Sequence, residues 1–254
     1  MLTLLSPSKT LNFDDDSNVS SHTIPPMLDQ SMLLVKELRK YSARKLGKLM
    51  DISDKLAELN ARRYEQFDPA FTPANAKQAL MAFKGDVYAP MEVATYSMDD
   101  FDFAQKHLRI LSGLYGLLRP LDLIQPYRLE MSTTLKNPRG KDLYSFWGTR
   151  IATALNETLK THKHKYVINL ASVEYFRSVK PELLTGKLLT IHFKERQKGQ
   201  LKIIGLFAKK ARGMMADYII RQRIDQPEAL KEFKTGGYHF EKSLSGEKEW
   251  IFVR

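Results

Sequence analysis

The sequence predicts a mixed α+β fold, in which one domain spanning residues 1–254 builds a mixed sheet with flanking helices. Two compact apolar runs, residues 1–5 and 166–170, have the length and the bounding turn residues of buried strands. Segments with helical spacing lie between and after them, without the strict alternation of strands and helices that marks a parallel sheet. A chain of 254 residues that is 43% hydrophobic can bury a large core, and no linker divides it.

The elements of the amino-terminal half follow from apolar spacing and from turn and capping residues. In chain order they are a strand at residues 1–5, a turn at 6–10, a polar surface loop at 11–26, helical spacing from 28 toward 49, a helix from about 53, a proline-capped helix start at 72–75 and a helix that begins at 99–100 and continues to 111.

The carboxyl-terminal half is predicted by the same signals. Residues 143–159 have helical spacing, and residues 166–170 form a strand. Residues 188–193 and 201–207 enclose Lys198-Gly199-Gln200, which is typical of a hairpin with a glycine turn. A basic helix follows from Ala208 to about Arg223, and residues 250–253 form a last strand.

Charge indicates a polyanionic partner. Lys and Arg number 40 against 29 Asp and Glu, which gives a net charge of +11. Such an excess attracts phosphates, although colloidal solubility alone is an alternative explanation. No cysteine is present, so disulfides, thiolate metal sites and cysteine redox switches are excluded. We find no signal peptide and no apolar run of membrane-spanning length, and therefore expect a cytoplasmic protein without membrane contact.

The clearest local signal is a segment with two glycines three residues apart, between His107 and Asp122. We expect a helix, a tight turn at Gly113-Leu114-Tyr115-Gly116 and a second helix, with backbone amides at the turn free to bind phosphate. Arg109 and Arg119 lie on either side as counter-charges. This pattern indicates a helix-hairpin-helix element that holds a nucleic-acid backbone without reading bases. An ordinary helical hairpin with glycine caps is the alternative.

A second signal is the basic stretch from Lys194 to Arg223, which has nine cations against two acids. Lys209, Lys210 and Arg212 concentrate charge where a strand is predicted to pass into a helix. We expect these three side chains to contact DNA phosphates, with a solvated helix face as the alternative.

A third signal is polar residues that follow predicted strands. Ser6 to Thr10 follow the first strand, and Asn169, Ser172 and Glu174 follow the strand at residues 166–170. Because ligands collect at the carboxyl ends of strands, these loops are expected to line a cleft. Arg128 and Glu130 lie between them in sequence and share one face if extended.

Lys9, Arg128 and Glu130 are therefore candidate catalytic residues, with Lys9 a nucleophile if desolvated and Glu130 an acid or base. The alternative is a buried network of ion pairs and hydrogen bonds that closes the fold.

These segments together resemble the YaaA family, the DUF328 or UPF0246 group of peroxide stress proteins. The resemblance covers nearly the whole chain, and its longest motif is LSGLYGLLRPLD at residues 111–122. Further motifs are SPSKT at 6–10, FKGDVY at 83–88, QPYRLEM at 125–131, NLAS at 169–172 and AKKARG at 208–213, with Ser8 where the family has alanine. The resemblance implies a compact domain with a helix-hairpin-helix element and a positively charged cleft. It also implies DNA binding, and protection during peroxide stress by keeping the level of unincorporated intracellular iron low.

We therefore expect a DNA-binding peroxide stress protein that contacts duplex or branched DNA with little sequence specificity. The alternative is an enzyme that acts on a nucleotide or damaged base in the cleft, since no known catalytic motif decides the question. Direct iron handling is disfavoured, because the six histidines lack ligand-like spacing. We expect no metal and no cofactor, and the sequence leaves the oligomeric state open.

Overall fold

The computed structural model describes residues 1–14 and 19–254. Residues 15–18, which belong to the predicted loop at 11–26, lie outside the described residues. In chain order the strands of the described residues are β1 (Leu2–Leu5), β2 (Thr10–Leu11), β3 (Lys77–Gln78), β4 (Phe83–Lys84), β5 (Leu108–Ser112), β6 (Gly116–Leu118), β7 (Leu123–Ile124), β8 (Tyr166–Asn169), β9 (Lys187–Gln197), β10 (Gln200–Lys202), β11 (His239–Phe240) and β12 (Glu249–Val253).

The α-helices are joined by loops and short 3-10 turns. In the same part of the chain they are α1 (Leu28–Leu38), α2 (Ala43–Met50), α3 (Asp54–Gln66), α4 (Ala79–Ala82), α5 (Met98–His107), α6 (Leu143–Trp147), α7 (Arg150–Lys160), α8 (Val173–Phe176) and α9 (Gly205–Arg221).

The central sheet has the strand order β11-β12-β9-β8-β1-β5-β6, with β10 paired to β9. The five inner strands are parallel, whereas β6, β10 and β11 pair antiparallel. The sequence therefore predicted the mixed sheet correctly. Because β1, β5, β8 and β9 run in the same direction, the loops that follow them meet at one border of the sheet, the carboxyl edge. The residues that precede them form the opposite border, the amino edge.

Helices cover both faces of the sheet. The connection from β1 to β5 moves one way along the sheet, and the connection from β5 to β8 moves the other way. Right-handed crossovers place α5 and α7, which lie in these connections, on opposite faces. α9 packs against α5 and β9, so it lies on the α5 face. β1 and β5 are buried along their whole length, whereas β9 alternates buried and half-buried residues over most of its length.

Side-chain caps fix several helix starts that the sequence signals predicted. The Ser53 hydroxyl accepts a hydrogen bond from the Leu56 amide at the start of α3, as expected for a helix from about residue 53. Ser97, rather than Asp99, caps α5 and forms a reciprocal pair with the Asp100 carboxylate. Gly148, with a positive φ of 54°, separates the predicted helix at 143–159 into α6 and α7.

Two further predictions differ from the structure. Residues 72–75 form a turn before β3 rather than a helix start, since the Asn75 side chain folds back to bond the Thr72 amide and the Ala70 carbonyl. The second arm of the predicted hairpin ends at Lys202, and residues 205–207 are already the first turn of α9. One hydrophobic cluster extends from Met1 to Phe252 and joins all layers of the fold.

Candidate functional site

Two serines join the loops at the carboxyl edge. The Ser172 amide donates to Ser6 Oγ at 2.8 Å, and the two hydroxyl oxygens are 3.2 Å apart. The Tyr88 hydroxyl donates to the Ser6 carbonyl at 2.8 Å and thereby fixes the same loop. These contacts connect the ends of β1 and β8, as the strand-end argument predicted.

Lys9, Arg128 and Glu130 meet beside this junction. Lys9 Nζ lies 3.1 Å from Glu130 Oε1, and Arg128 Nη2 donates to the same oxygen at 2.8 Å. The Lys9 side chain is 61% exposed, whereas those of Arg128 and Glu130 are 18% and 19% exposed. Arg128 Nε is buried and has no hydrogen-bond partner among the described residues. We call Ser6, Lys9, Arg128, Glu130 and Ser172 the carboxyl-edge cluster.

Buried tyrosines support the strand-like segment that carries Arg128 and Glu130. The Tyr64 hydroxyl of α3 donates to the Arg128 carbonyl, and the Tyr127 hydroxyl lies 2.7 Å from Ser112 Oγ. The Tyr175 hydroxyl bonds the Met131 backbone. Burial raises the pKa of all three phenols, so they are neutral supports rather than acids at physiological pH.

The basic helix lies next to the cluster. Gly213 of α9 packs against the Val87 carbonyl, one residue before Tyr88, whose hydroxyl holds Ser6. Lys209 and Lys210 are exposed on the first turns of α9. Arg212 is partly buried, its Nε has no hydrogen-bond partner in the described part of the chain, and burial lowers the pKa of its guanidinium. Two of the three predicted phosphate contacts are therefore open to solvent.

The predicted helix-hairpin-helix element at residues 107–122 is wrong. Residues 108–112 and 116–118 are the antiparallel strands β5 and β6, and the loop between them closes on Gly116 with φ 70°. Gly113, Leu114, Tyr115 and Gly116 are all buried. An apolar run that is buried on both faces has no strand periodicity, which is why the sequence favoured a helix. The turn is therefore enclosed by protein, and the Tyr115 amide donates to Ser112 Oγ.

The two arginines beside this turn are structural. Arg109 is buried and donates to the carbonyls of Gln105 and Leu108. Burial lowers the pKa of Arg109 to about 10. Arg119 pairs with the fully buried Asp122 at 2.7 Å and donates to the Ile24 carbonyl at 2.8 Å. Arg109 is therefore closed to phosphate, and the Nε and Nη2 atoms of Arg119 are already bonded within the protein.

A helical hairpin does occur, but elsewhere in the chain. α2 ends at Met50, the next residue Asp51 has a left-handed φ of 50°, and α3 begins at Asp54. The sequence predicted α3 from about residue 53, but it continued one run of helical spacing from residue 28 toward 49, whereas the structure divides that run into α1 and α2. The Tyr64 contact to Arg128 links α3 directly to the carboxyl-edge cluster. Serine caps at Ser42 and Ser53, on either side of a short helix, are the signal that marks this hairpin.

Several residues that support the site were not predicted from the sequence. Tyr64 and Tyr88 both hold cluster loops through hydroxyl contacts across more than 60 residues of sequence. Long-range contacts of this kind leave no local signal in one sequence. Within residues 1–14 and 19–254, no group of three His, Asp or Glu side chains is placed to hold a metal ion. In the same residues, no helix has the length and apolar character needed to cross a bilayer.

The comparisons with known proteins agree with the motifs. Residues 1–244 match the family model described as peroxide stress protein YaaA. A UPF0246 protein of Acaryochloris marina (strain MBIC 11017) is 56% identical over 254 residues, which cover all of both chains. A UPF0246 protein of Burkholderia pseudomallei (strain 668) is 52% identical over 256 residues, which cover all of this chain and 98% of the relative. The chain therefore belongs to the family of the peroxide stress protein YaaA.

Proposed function

We propose that this protein binds DNA through the phosphate backbone, at a surface formed by the carboxyl-edge cluster and the first turns of α9. The observation that carries the proposal is the meeting of Lys9 and Arg128 on one carboxylate oxygen, with Arg128 Nε left unpartnered. Two cations share one anion there, so the site keeps a net positive charge that a phosphate would neutralise. The net charge of +11 favours the same partner.

Neighbouring elements extend this surface. Lys209 and Lys210 are exposed on the helix that packs against Val87. The α2–α3 hairpin takes the place of the helix-hairpin-helix element that was predicted at residues 107–122. Residues 54–56 at the start of α3 are exposed, and the preceding helix α2 carries the exposed cations Lys45 and Lys48.

A salt series tests the proposal. The triple variant Lys9→Ala, Lys209→Ala and Lys210→Ala should reduce the steepness of log affinity against log salt by up to about 2.7, since each phosphate contact contributes about 0.9. The matched control replaces Lys106, Lys160 and Lys163, which are exposed cations near the amino edge. The control should keep the wild-type slope. Equal slopes for wild type and the first variant would remove this surface from DNA binding.

Binding of this kind provides a route to peroxide protection. A protein that covers the DNA backbone shields the deoxyribose from diffusing oxidants. Any effect on intracellular iron is then indirect. Plasmid nicking by Fe(II) and hydrogen peroxide should fall when wild-type protein is added. It should fall less with the triple variant. Stoichiometric Fe(II) binding at micromolar protein would contradict an indirect role.

An enzyme that acts on a nucleotide or damaged base is the second candidate. A cavity of about 530 Å³ is lined by Phe83, Lys84 and Tyr88, and its connection to the cluster is the Tyr88 hydroxyl that holds Ser6, since no cluster residue lines it. This volume lies in the range of small-molecule sites. Lys9 is exposed and paired with Glu130, which is not the desolvated setting of a nucleophilic lysine, so Glu130 is the stronger catalytic candidate.

A panel of single-lesion duplexes and free nucleotides tests the second candidate. Product formation by wild type that is lost in Glu130→Gln would support an enzyme. The absence of any product across the panel would reject it.

A further inference from the structure

Strand β9 extends well past its neighbour in the sheet. β8 ends at Asn169, which pairs with Thr190, whereas β9 continues to Gln197. At about 3.3 Å per residue, the end of β9 stands roughly 23 Å beyond the end of β8. On the other side, the Arg254 carbonyl still accepts from the Arg196 amide. β10 returns along the extension, so the two strands form a ribbon, residues 195–202.

The tip of the ribbon is polar and cationic. Lys198 and Gly199, with φ of 48° and 76°, form the two-residue turn, and Gln197 faces Gln200 across it. Arg196, Lys198 and Lys202 are exposed, and none of them forms an ion pair within the described residues. The one acid of the ribbon, Glu195, is buried and held by Tyr238 and Arg254.

The ribbon stands at the same edge as the cluster. Since the Arg196 amide is bonded on the β12 side, β10 pairs from the opposite side of β9, which is the side that β8 occupies lower down. β10 is therefore in line with β8, whose following loop carries Ser172. The chain then passes through residues 203–204 directly into α9, which carries Lys209 and Lys210.

We propose that this ribbon enters the major groove of duplex DNA while the carboxyl-edge cluster and α9 hold the phosphates. This inference rests on the proposed DNA binding and names its preferred form of DNA. The major groove of duplex DNA is about 12 Å wide and admits a two-stranded ribbon. Single-stranded DNA has no such groove. Glutamine amides such as Gln197 and Gln200 both donate and accept, as the edges of bases require. The flanking cations face the phosphates at the groove rims.

A ribbon variant that preserves the turn tests the inference. Arg196→Gln, Lys198→Asn and Lys202→Gln together remove three charges, and Asn-Gly is the preferred sequence for this turn. Binding is measured on a duplex and on a single strand of the same sequence. The control is the triple Gln variant of Lys106, Lys160 and Lys163. Thermal unfolding by circular dichroism confirms that each variant is folded.

The expected result is a loss of at least about tenfold in duplex affinity near 150 mM salt, with single-strand affinity within about twofold of wild type. Wild type should also protect guanine N7, a major-groove atom, from methylation by dimethyl sulfate, and the ribbon variant should not. An unchanged duplex affinity, or an equal loss on both DNA forms, would overturn the ribbon inference and leave the proposed function intact. Failure of wild type to bind any DNA would overturn the proposed function itself.

Discussion

Gly113 lies directly against the Leu129 backbone, and a Cβ at residue 113 would be 2.2 Å from the Leu129 carbonyl oxygen. The β5–β6 turn thus supports the segment that carries Arg128 and Glu130. A second contact fixes the same turn, since the Trp147 indole donates to the Gly113 carbonyl at 3.0 Å. The glycine that suggested a phosphate-binding turn is needed for close backbone approach inside the protein.

Gly113→Ala should therefore destabilise the fold, although alanine normally reduces the entropy of the unfolded chain. The Leu129 atoms in contact belong to the backbone and cannot move away as a side chain could. We therefore expect a loss of about 2–3 kcal/mol in the free energy of unfolding. Urea denaturation measures this loss. Gly246→Ala is the matched control, since a Cβ there meets nothing within 4 Å. A loss below about 0.5 kcal/mol at residue 113 would contradict the close packing of Gly113 on the Leu129 backbone.

Gly213→Ala tests the contact that places α9 beside the cluster. A Cβ at residue 213 would be 1.8 Å from the Val87 carbonyl oxygen. Helix propensity favours alanine by about 1 kcal/mol, but overpacking costs about 1–3 kcal/mol or more, so the variant should be less stable. DNA affinity should also fall, because a shift of Val87 would move the adjacent Tyr88, whose hydroxyl holds the Ser6 loop of the cluster. Gly205→Ala, in open space on the same helix, should cost nothing, and comparable losses at both glycines would refute the contact.

The sequence predicted correctly those elements whose conformation is determined by residues next to one another in the chain. The serine cap of α3, the Lys198-Gly199 turn and the strand near Tyr166 all follow from a few neighbouring residues. The β5–β6 hairpin was mistaken for helices because a segment buried on both faces lacks a polar side from which to measure periodicity. Its strand identity comes from pairing with β1, more than 100 residues away in sequence.

The candidate site divides in the same way. Lys9, Arg128 and Glu130 were correctly expected to lie together. Alternation along an extended segment places Arg128 and Glu130 on one face, and Lys9 follows a strand end, where ligand-binding loops meet. Arg109 and Arg119 were misassigned because both are already bonded within the protein. Arg109 donates to the nearby carbonyls of Gln105 and Leu108, and Arg119 pairs with the buried Asp122 carboxylate and the distant Ile24 carbonyl. Charge in a sequence does not distinguish a cation that faces solvent from one that is already satisfied.

Glu130→Gln distinguishes the two candidate functions. In a DNA-binding protein the carboxylate competes with phosphate for Lys9 and Arg128, so its removal should raise duplex affinity several-fold and steepen the salt dependence by about one contact, near 0.9. Fluorescence anisotropy over a salt series provides the measurement. A fall in affinity would mean that the carboxylate positions the cations rather than competing for them. Glu58→Gln, an exposed acid of α3, serves as the charge-matched control.

Arg119→Ala should be strongly destabilising at neutral pH, with little direct effect on DNA contacts. The substitution leaves the Asp122 carboxylate, which is 0% exposed, without its cation. Loss of one partner of a buried pair costs about 3–5 kcal/mol, and the lower end applies because Arg119 is 32% exposed. The double variant Arg119→Ala, Asp122→Asn removes the unpaired charge and should recover part of the stability.

The pH dependence of this loss identifies its cause. Burial already raises the pKa of Asp122, and removal of Arg119 raises that pKa further. A carboxyl with a raised pKa in the folded state binds its proton more tightly than in the unfolded chain, so lowering the pH favours the folded form. The difference in unfolding free energy between wild type and Arg119→Ala should therefore be largest near pH 7.5 and smaller near pH 5.5, as measured by urea denaturation. If the difference were constant across this range, lost packing of the arginine stem, rather than an unpaired carboxylate, would explain the destabilisation.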